Sequence, residues 1–415
     1  MGKTESLPRK QRGAVLILAT IAMVGIVAVL ALMFDSSHMF VNKTRLQNMV
    51  DAAALSAATV INSSNDPIAA RQAALAIFAD NASGAGNNEI NTALSSGEIS
   101  VQVEFSNTLT PFAVGSVPEL YARVRVEDMD LEQWFLPVLG TADKKVSASA
   151  VAGPSPTIDN ACNVAPMMVC GDPDAGPPWW GYTPGELDVL KMSSNNSDVG
   201  PGNFQLIRFA GGQGGAEVRI NMAGGYDGCI DGGSVIDTEP GNTVGPVVQG
   251  INTRFGIYQG PLGGTQDIYP PDVVTAQPSP ELKYDTDTDE ITQGGSVVVD
   301  GDDIDFSFDD YEAAIAGNNF DYPPAPGGIG AFKRRELALP IGDCSTTTNG
   351  QGQVPLLGFG CYFLLQEASQ KGNESEVYGQ FIEDCVAGGV PGPNPGSGPG
   401  PYKIQLYRDV STEDS

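Results

Sequence analysis

The chain has 415 residues, with 51 glycines, 30 prolines, one histidine, 50 acidic and 22 basic side chains, and a formal charge of -28. That excess of negative charge repels polyanions and makes nucleic acid and anionic lipid surfaces poor partners for the bulk of the chain. The lone His38 leaves no HExxH site, no Cys/His zinc cluster and no placeable Ser-His-Asp triad. The Gly/Pro content favours a β-rich body of about two or three domains over a helical bundle.

Residues 1–12 form a basic tail, with Lys3, Arg9, Lys10 and Arg12 against Glu5. Residues 13–34, GAVLILATIAMVGIVAVLALMF, carry no charge. At about 1.5 Å per residue this run spans roughly 33 Å, enough for a bilayer core. Its basic flank is N-terminal, so the positive-inside rule predicts a cytoplasmic tail and export of everything beyond. A cleaved signal peptide is the alternative, but the run exceeds the roughly 7–15 residues of a signal core and no clean small-x-small cleavage site follows.

The helix is predicted to continue past the membrane, from about 13 to 60. Ile26 to Asp66 contains no Gly or Pro, and Met39, Leu46, Met49, Val50, Ala53 and Ala57 share one face. Asn62 to Pro67 is a break, and Asp66-Pro67 suits an N-cap and first position for a second helix to about Asp80. After a Gly/Asn/Ser loop (83–88), alternating runs near 99–105, 120–128 and 145–152 predict a small antiparallel sheet on the helical spine. Trp134, Phe135 and Leu136 are expected to cap that packing. Residues 35–152 hold 13 acids and 7 bases, a balance of -6.

GPSPT at 153–157 reads as a linker. Residues 153–415, with 36 acids and 11 bases, carry -25. Strand-like runs recur there at 204–209, 217–221, 246–255, 296–300, 304–308, 336–341, 354–366, 377–382 and 402–408, so this domain is expected to be mainly β. Residues 388–401 are a Gly/Pro connector, after which the last strand returns to complete a sheet. All six cysteines, Cys162, Cys170, Cys229, Cys344, Cys361 and Cys385, lie beyond the membrane run. An even number in an exported region predicts disulfides and leaves their pairing open. Free buried thiols are the competing reading. Metal ligation is weaker, because no CxxC occurs.

Among candidate sites, Asp285, Asp287 and Asp289 match the first three ligand positions of an EF-hand loop. Glu290 then stands where the turn needs Gly, and Ser296 where a bidentate Glu is needed, so that motif fails. A looser calcium site would draw on these three or on Asp300, Asp302, Asp303 and Asp305; solvated acidic loops are the favoured reading. The glycine-rich runs AGGQGGAE and MAGGYDGCIDGG lack the GxxxxGK[ST] pattern and are loops. Carboxylate pairs are too common here to imply glycosidase work. Lys333, Arg334 and Arg335 are read as surface charge, with a clamp on an acidic loop as the alternative. Trp179 and Trp180 are read as core, with a recognition patch as the alternative.

Four features around the membrane run stand together. They are Arg12-Gly13-Ala14 before it, Asp35 just after it, Arg45-Leu46-Gln47-Asn48, and Asp51-Ala52-Ala53-Ala54-Leu55. This segment resembles the N-terminal module of TadE/TadG-like proteins of the Tad (Flp, tight-adherence) pilus machinery. The resemblance covers roughly residues 10–60, and the small sheet to about 152 is similar in style. PGNFQLIRFAGGQGG, DTEPGNTVGPVVQGINTRF and PGPYKIQLYRD resemble the exported part of TadG-type proteins more weakly. There are two departures. Prepilins are usually cut after a Gly and carry Glu at the fifth mature position, whereas cutting after Gly13 would put Leu18 there. The DxSxS motif of the von Willebrand A domain in long TadG proteins is missing.

The expected architecture is α+β: a transmembrane and spine helix (13–34 and onward), a small pilin-like antiparallel sheet within 35–152, and an acidic β domain with disulfides over 153–415. The resemblance implies a non-enzymatic structural or assembly component of a Tad-type system. It would be anchored in the bacterial inner membrane as a single-pass protein and partnered by other pilus-assembly proteins. No cofactor is expected beyond the weak calcium candidates, and no nucleic-acid partner. The alternative is a minor pilin-like or adhesin subunit displayed on the fibre; a secreted hydrolase is a distant third.

Overall fold

The computed structural model describes residues 14–415 except 133, 136–144, 192–195, 198–199, 202–204, 210–213, 227, 242, 326, 346–350, 371–374, 392–399, 411 and 413–415. The basic tail 1–12 and Leu136 therefore lie outside the described residues. The chain divides into two units. One comprises Met1–Ile61, Pro67–Gly153 and Leu406–Ser415, and the other Asn62–Asp66 and Pro154–Gln405.

In the N-terminal unit, α1 (Ala14–Ser64) is one unbroken helix of 51 residues. At about 1.5 Å per residue it is about 77 Å long. Its buried positions, Ala31, Asp35, Asn42, Leu46, Met49, Val50, Ala53, Ala54, Ala57, Ala58 and Ile61, follow helical spacings of three, four and seven. They form one stripe. Five of the six residues predicted for this face are buried; Met39 is half-buried. α2 (Pro67–Ala82) starts at the expected proline and buries Ala70, Ala74, Phe78 and Ala82 at helical spacing. α3 (Asn88–Ser96) follows the loop and stops at Gly97, whose φ of 76° is the left-handed conformation that a helix end requires.

The predicted hairpins appear as β1 (Gln102–Ser106), β2 (Tyr121–Asp130) and β3 (Lys145–Pro154), paired antiparallel in sequence. The last strand, Ile404–Tyr407, adds to β3, giving a four-stranded sheet. Arg123, in β2, fastens the C-terminal segment. Its guanidinium donates to Glu104 at 2.7 Å and lies 3.8 Å from Asp409, which is 2 % exposed and also accepts the Ser149 hydroxyl at 2.5 Å.

The C-terminal unit is built on the adjacent strands Glu336–Asp343 and Gln353–Leu364, antiparallel to each other. Along Glu336–Asp343, Leu337, Leu339 and Ile341 enter one apolar core and Ala338 the other. The strand is therefore covered on both faces, which is why it reads as a continuous apolar run. The helices Gly215–Gly224 and Val244–Asn252 supply Val218, Met222, Val247, Val248 and Ile251 to one core. The hairpin Leu282–Gln293 and the helix Phe308–Ala316 supply Leu282, Ile291, Tyr311 and Ile315 to the other.

Three of the predicted strands are not strands. EVRIN and PVVQGINTRF are helical because Val218/Met222 and Val247/Val248/Ile251 are spaced for a helix face. The two helices cross at Gly250, where a Cβ would lie 2.4 Å from the Met222 Cβ and 2.6 Å from the Arg219 carbonyl oxygen. IDFSF ends in a helix start, with Ser307 and Asp310 forming a reciprocal capping box. The tryptophans follow the core reading: Trp179 and Trp180 pack against the helix-side core.

The six cysteines pair as Cys162–Cys229, Cys170–Cys344 and Cys361–Cys385, all within the C-terminal unit. Arg335, read from sequence as surface charge, is fully buried. Its guanidinium donates to the carbonyls of Leu364 (2.9 Å), Leu365 (2.8 Å), Val274 (3.2 Å) and Ala276 (2.7 Å) and lies over the rings of Phe363 and Phe255 at 4.3 and 4.7 Å. Asp272, also fully buried, accepts the backbone N–H groups of Arg335 and Val274 (both 3.0 Å) and the Tyr311 hydroxyl (3.1 Å). Burial lowers the Arg335 pKa to about 10, so the guanidinium stays charged and its donors stay matched.

Two outcomes follow from this core. Arg335→Leu strands four carbonyls and should cost the C-terminal unit about 3–5 kcal/mol in denaturant titration; a cost no greater than that of an exposed arginine would contradict the assignment. Reduction of the three disulfides should lower amide exchange protection across 154–405 and leave α2 and β1–β3 unchanged, with the Cys361–Cys385 closure alone worth about 3 kcal/mol. Hydrogen-exchange mass spectrometry on oxidised and reduced protein reads both regions together.

Candidate functional site

The outer end of α1 is unlike any other surface among the described residues. Leu16, Ile17, Leu18, Ile21, Met23, Val24, Ile26, Val27, Val29, Leu30, Leu32, Met33 and Phe34 are all exposed, between 48 and 73 %. They occupy every side of the helix rather than a stripe, and this part of α1 is long and apolar enough to cross a membrane. A soluble monomer does not leave so large a contiguous apolar area in water.

The stretch ends at a polar cluster. Asp35 is 5 % exposed, and its carboxylate accepts the backbone N–H groups of Trp134 (3.3 Å) and Phe135 (3.0 Å). One turn further, His38 stacks on the Trp134 ring with centroids 4.7 Å apart. The His38 Nε2 lies 2.9 Å from the Glu89 carboxylate, which also accepts from the Asn42 amide at 2.9 Å and the Glu132 backbone N–H at 2.5 Å. Asp35 and His38 thus tie the segment after β2 onto α1, and Glu89 ties in α3. Trp134 and Phe135 do not cap the sheet as expected; they are 52 and 44 % exposed beside Phe34. Deeper along the helix, the Gln47 amide donates to the Ser149 carbonyl at 2.9 Å, joining α1 to β3.

The acidic candidates fall into two loops. Asp285 accepts the Asp287 N–H at 2.9 Å inside the turn between Leu282–Asp285 and Glu290–Gln293, and Asp289 accepts the Tyr284 hydroxyl. Asp300 accepts the Asp302 N–H (2.9 Å) and Asp303 the Val299 N–H (2.9 Å). Asp305 accepts the Ser279 N–H at 3.0 Å and the Gln293 amide. Among the described residues no three Asp, Glu, His or Cys side chains are gathered as a metal-ligand group. A further acidic feature is not legible in the sequence: a cavity of about 320 Å³ whose lining includes Glu186, Asp188, Gln205, Asp289 and Glu290 and, among the described residues, no cationic side chain. It forms because Leu187–Lys191 and the hairpin Leu282–Gln293 are distant in sequence and adjacent in space.

Residues 13–60 match the family model described as Flp pilus-assembly TadE/G-like, and residues 55–152 match that described as Tad-like Flp pilus-assembly. Together the two matches cover residues 13–152. No curated protein and no solved structure matches the chain significantly. The first match takes in the exposed apolar helix with Asp35 and His38, the second takes in α2, α3 and nearly all of β1–β3, and the second ends just before the acidic C-terminal unit.

Two buried carboxyls give that acidic unit a pH dependence. Burial pushes Asp188 up to about 7, and the nearby Glu186 carboxylate adds to the rise. Burial also pushes Glu336 up to about 7, outweighing the attraction of Lys333, 3.4 Å away. A carboxyl held above its ordinary range favours the fold while protonated; that stability is complete below the ordinary range and is lost as pH rises toward 7. The urea midpoint should therefore fall between about pH 5 and about pH 8, by the equivalent of about 2 kcal/mol or more, and Glu336→Gln should flatten the decline. A midpoint that rises over this interval would contradict both shifts.

Proposed function

We propose that this chain is a membrane-anchored, non-enzymatic structural or assembly component of a Tad (Flp) type pilus system. The observation that carries the reading is the continuity of α1. Its outer apolar end, exposed on all sides, runs without a break into an inner half buried in the TadE/G-like unit. Such a helix serves as anchor and packing spine together. The basic tail before it fits a cytoplasmic N-terminus. The three disulfides fit a C-terminal unit facing an oxidising compartment, outside a bacterial inner membrane. The chain would then meet other pilus-assembly proteins through the exported units, and the acidic surface makes nucleic acid a poor partner.

A second reading, a minor pilin-like or adhesin subunit incorporated in the fibre, is favoured by the same spine helix and disfavoured by Leu18 at the position where a processed pilin carries Glu. Fractionation separates the two. Retention in the inner membrane through alkaline extraction, with Met1–Gly13 still attached, is the expected result. Recovery in sheared surface fibres with a shortened N-terminus would overturn the anchored assignment in favour of the subunit.

A further inference from the structure

We infer that Phe34, Trp134 and Phe135 form an aromatic rim that enters the interfacial layer of a lipid bilayer, giving the TadE/G-like unit a second membrane contact besides its helix. This inference rests on the anchored reading of α1.

Position is the first support. Phe34 closes the uncharged run, and its ring lies 6.3 Å from that of Phe135. Trp134 stacks on His38, four residues on, or about 6 Å along the helix axis. The three rings thus sit within about one helical turn of the point where the apolar stretch ends. Tryptophan is suited to this depth, because the indole N–H can face the headgroups while the ring body replaces water, and the two phenylalanines extend the apolar surface beside it.

The second support is that the exposure is built. The end of β2 and the segment after it contain both buried and exposed apolar residues. Met129 and Leu131 are buried, at 0 and 7 % exposure, whereas Trp134 and Phe135 are turned out at 52 and 44 %. They are held there through their own backbones, since the two oxygens of Asp35 accept the N–H groups of Trp134 and Phe135. Asp35 is itself almost wholly buried although it directly follows the exposed Phe34. A carboxylate so buried costs free energy unless its acceptors are used. Here they are used to fix the backbone of two aromatics at the edge of the apolar helix. The occupant that fits is lipid, because the rim continues the apolar surface of α1 without a polar gap.

The test uses the full chain reconstituted in phosphatidylcholine vesicles with bromine either near the headgroup end or at the terminus of the acyl chain. Trp134 is one of three tryptophans, so its signal is the difference between wild type and Trp134→Phe, with Trp179 and Trp180 untouched. The expected result is loss of the Trp134 component with headgroup-end bromine and a smaller loss with terminal bromine. Asp35→Asn should abolish that preference while the protein still floats with the vesicles. A floating protein whose Trp134 component is unquenched by either lipid overturns the rim, leaves the anchor standing and points to a protein partner at these rings. A chain that does not float overturns the anchor and the rim together.

Discussion

If α1 is anchored as proposed, a helix of 51 residues has to be satisfied by two solvents at once, and the remaining structure of the N-terminal unit is arranged around that constraint. Within α1 the backbone bonds are internal, so the main chain is indifferent to what surrounds it; only the side chains register the change. Up to Phe34 they are apolar in all directions. From Leu46 they are apolar along one stripe, dominated by Ala53, Ala54, Ala57 and Ala58. Small side chains let neighbouring backbone approach closely, while the polar face of the same turns points away. Asp35 marks the changeover. It is a charge that the apolar stretch would reject, and it becomes tolerable because two N–H groups are delivered to it by the segment after β2.

The same logic shows how much of the fold was legible in the sequence. The helices α1 and α2 and the strands β1–β3 announce themselves because their periodicity is enforced by a single buried face each. α3 does not, because Asn88, Asn91, Thr92, Ser95 and Ser96 are weak helix formers and only Ile90 and Ala93 are buried. The helix pair Gly215–Gly224 and Val244–Asn252 was read as strand for a different reason. Short apolar runs rich in Val and Ile have high strand propensity, and the helical spacing of the residues that reach the core is visible only when position, not composition, is counted. The Ser307/Asp310 capping box was present in the sequence as a local signal and outranks the apolar alternation that precedes it.

The cluster Lys333-Arg334-Arg335 shows where reading by residue type reaches its limit. Three consecutive cations look like solvated surface, yet Arg335 is buried with its donors on four carbonyls, and the Arg334 guanidinium donates to the Pro270 carbonyl at 2.9 Å and to Ala223 at 2.6 Å. The partners come from segments as far apart as 223, 274 and 364, so no local pattern announces them. The Gly/Pro-rich connections leave carbonyls that no regular ladder absorbs, and a buried carbonyl must find a donor. A planar fork with five N–H groups meets that need better than any neutral side chain. The clamp alternative was right in kind and wrong in target, since the acceptors are main-chain carbonyls rather than an acidic loop.

An acidic unit of this kind invites a search for a cation, but the carboxylates themselves argue for a different use. Asp285, Asp300, Asp303 and Asp305 each accept a backbone N–H near a turn, and Asp272 accepts two together with a hydroxyl. In a chain with 51 glycines and 30 prolines, many N–H groups fall outside helices and sheets and require acceptors. Aspartate reaches its own loop better than any longer side chain. These carboxylates therefore serve the fold by satisfying its irregular backbone, and Glu186 at the rim of the cavity does the same, accepting the Thr183 N–H at 3.1 Å.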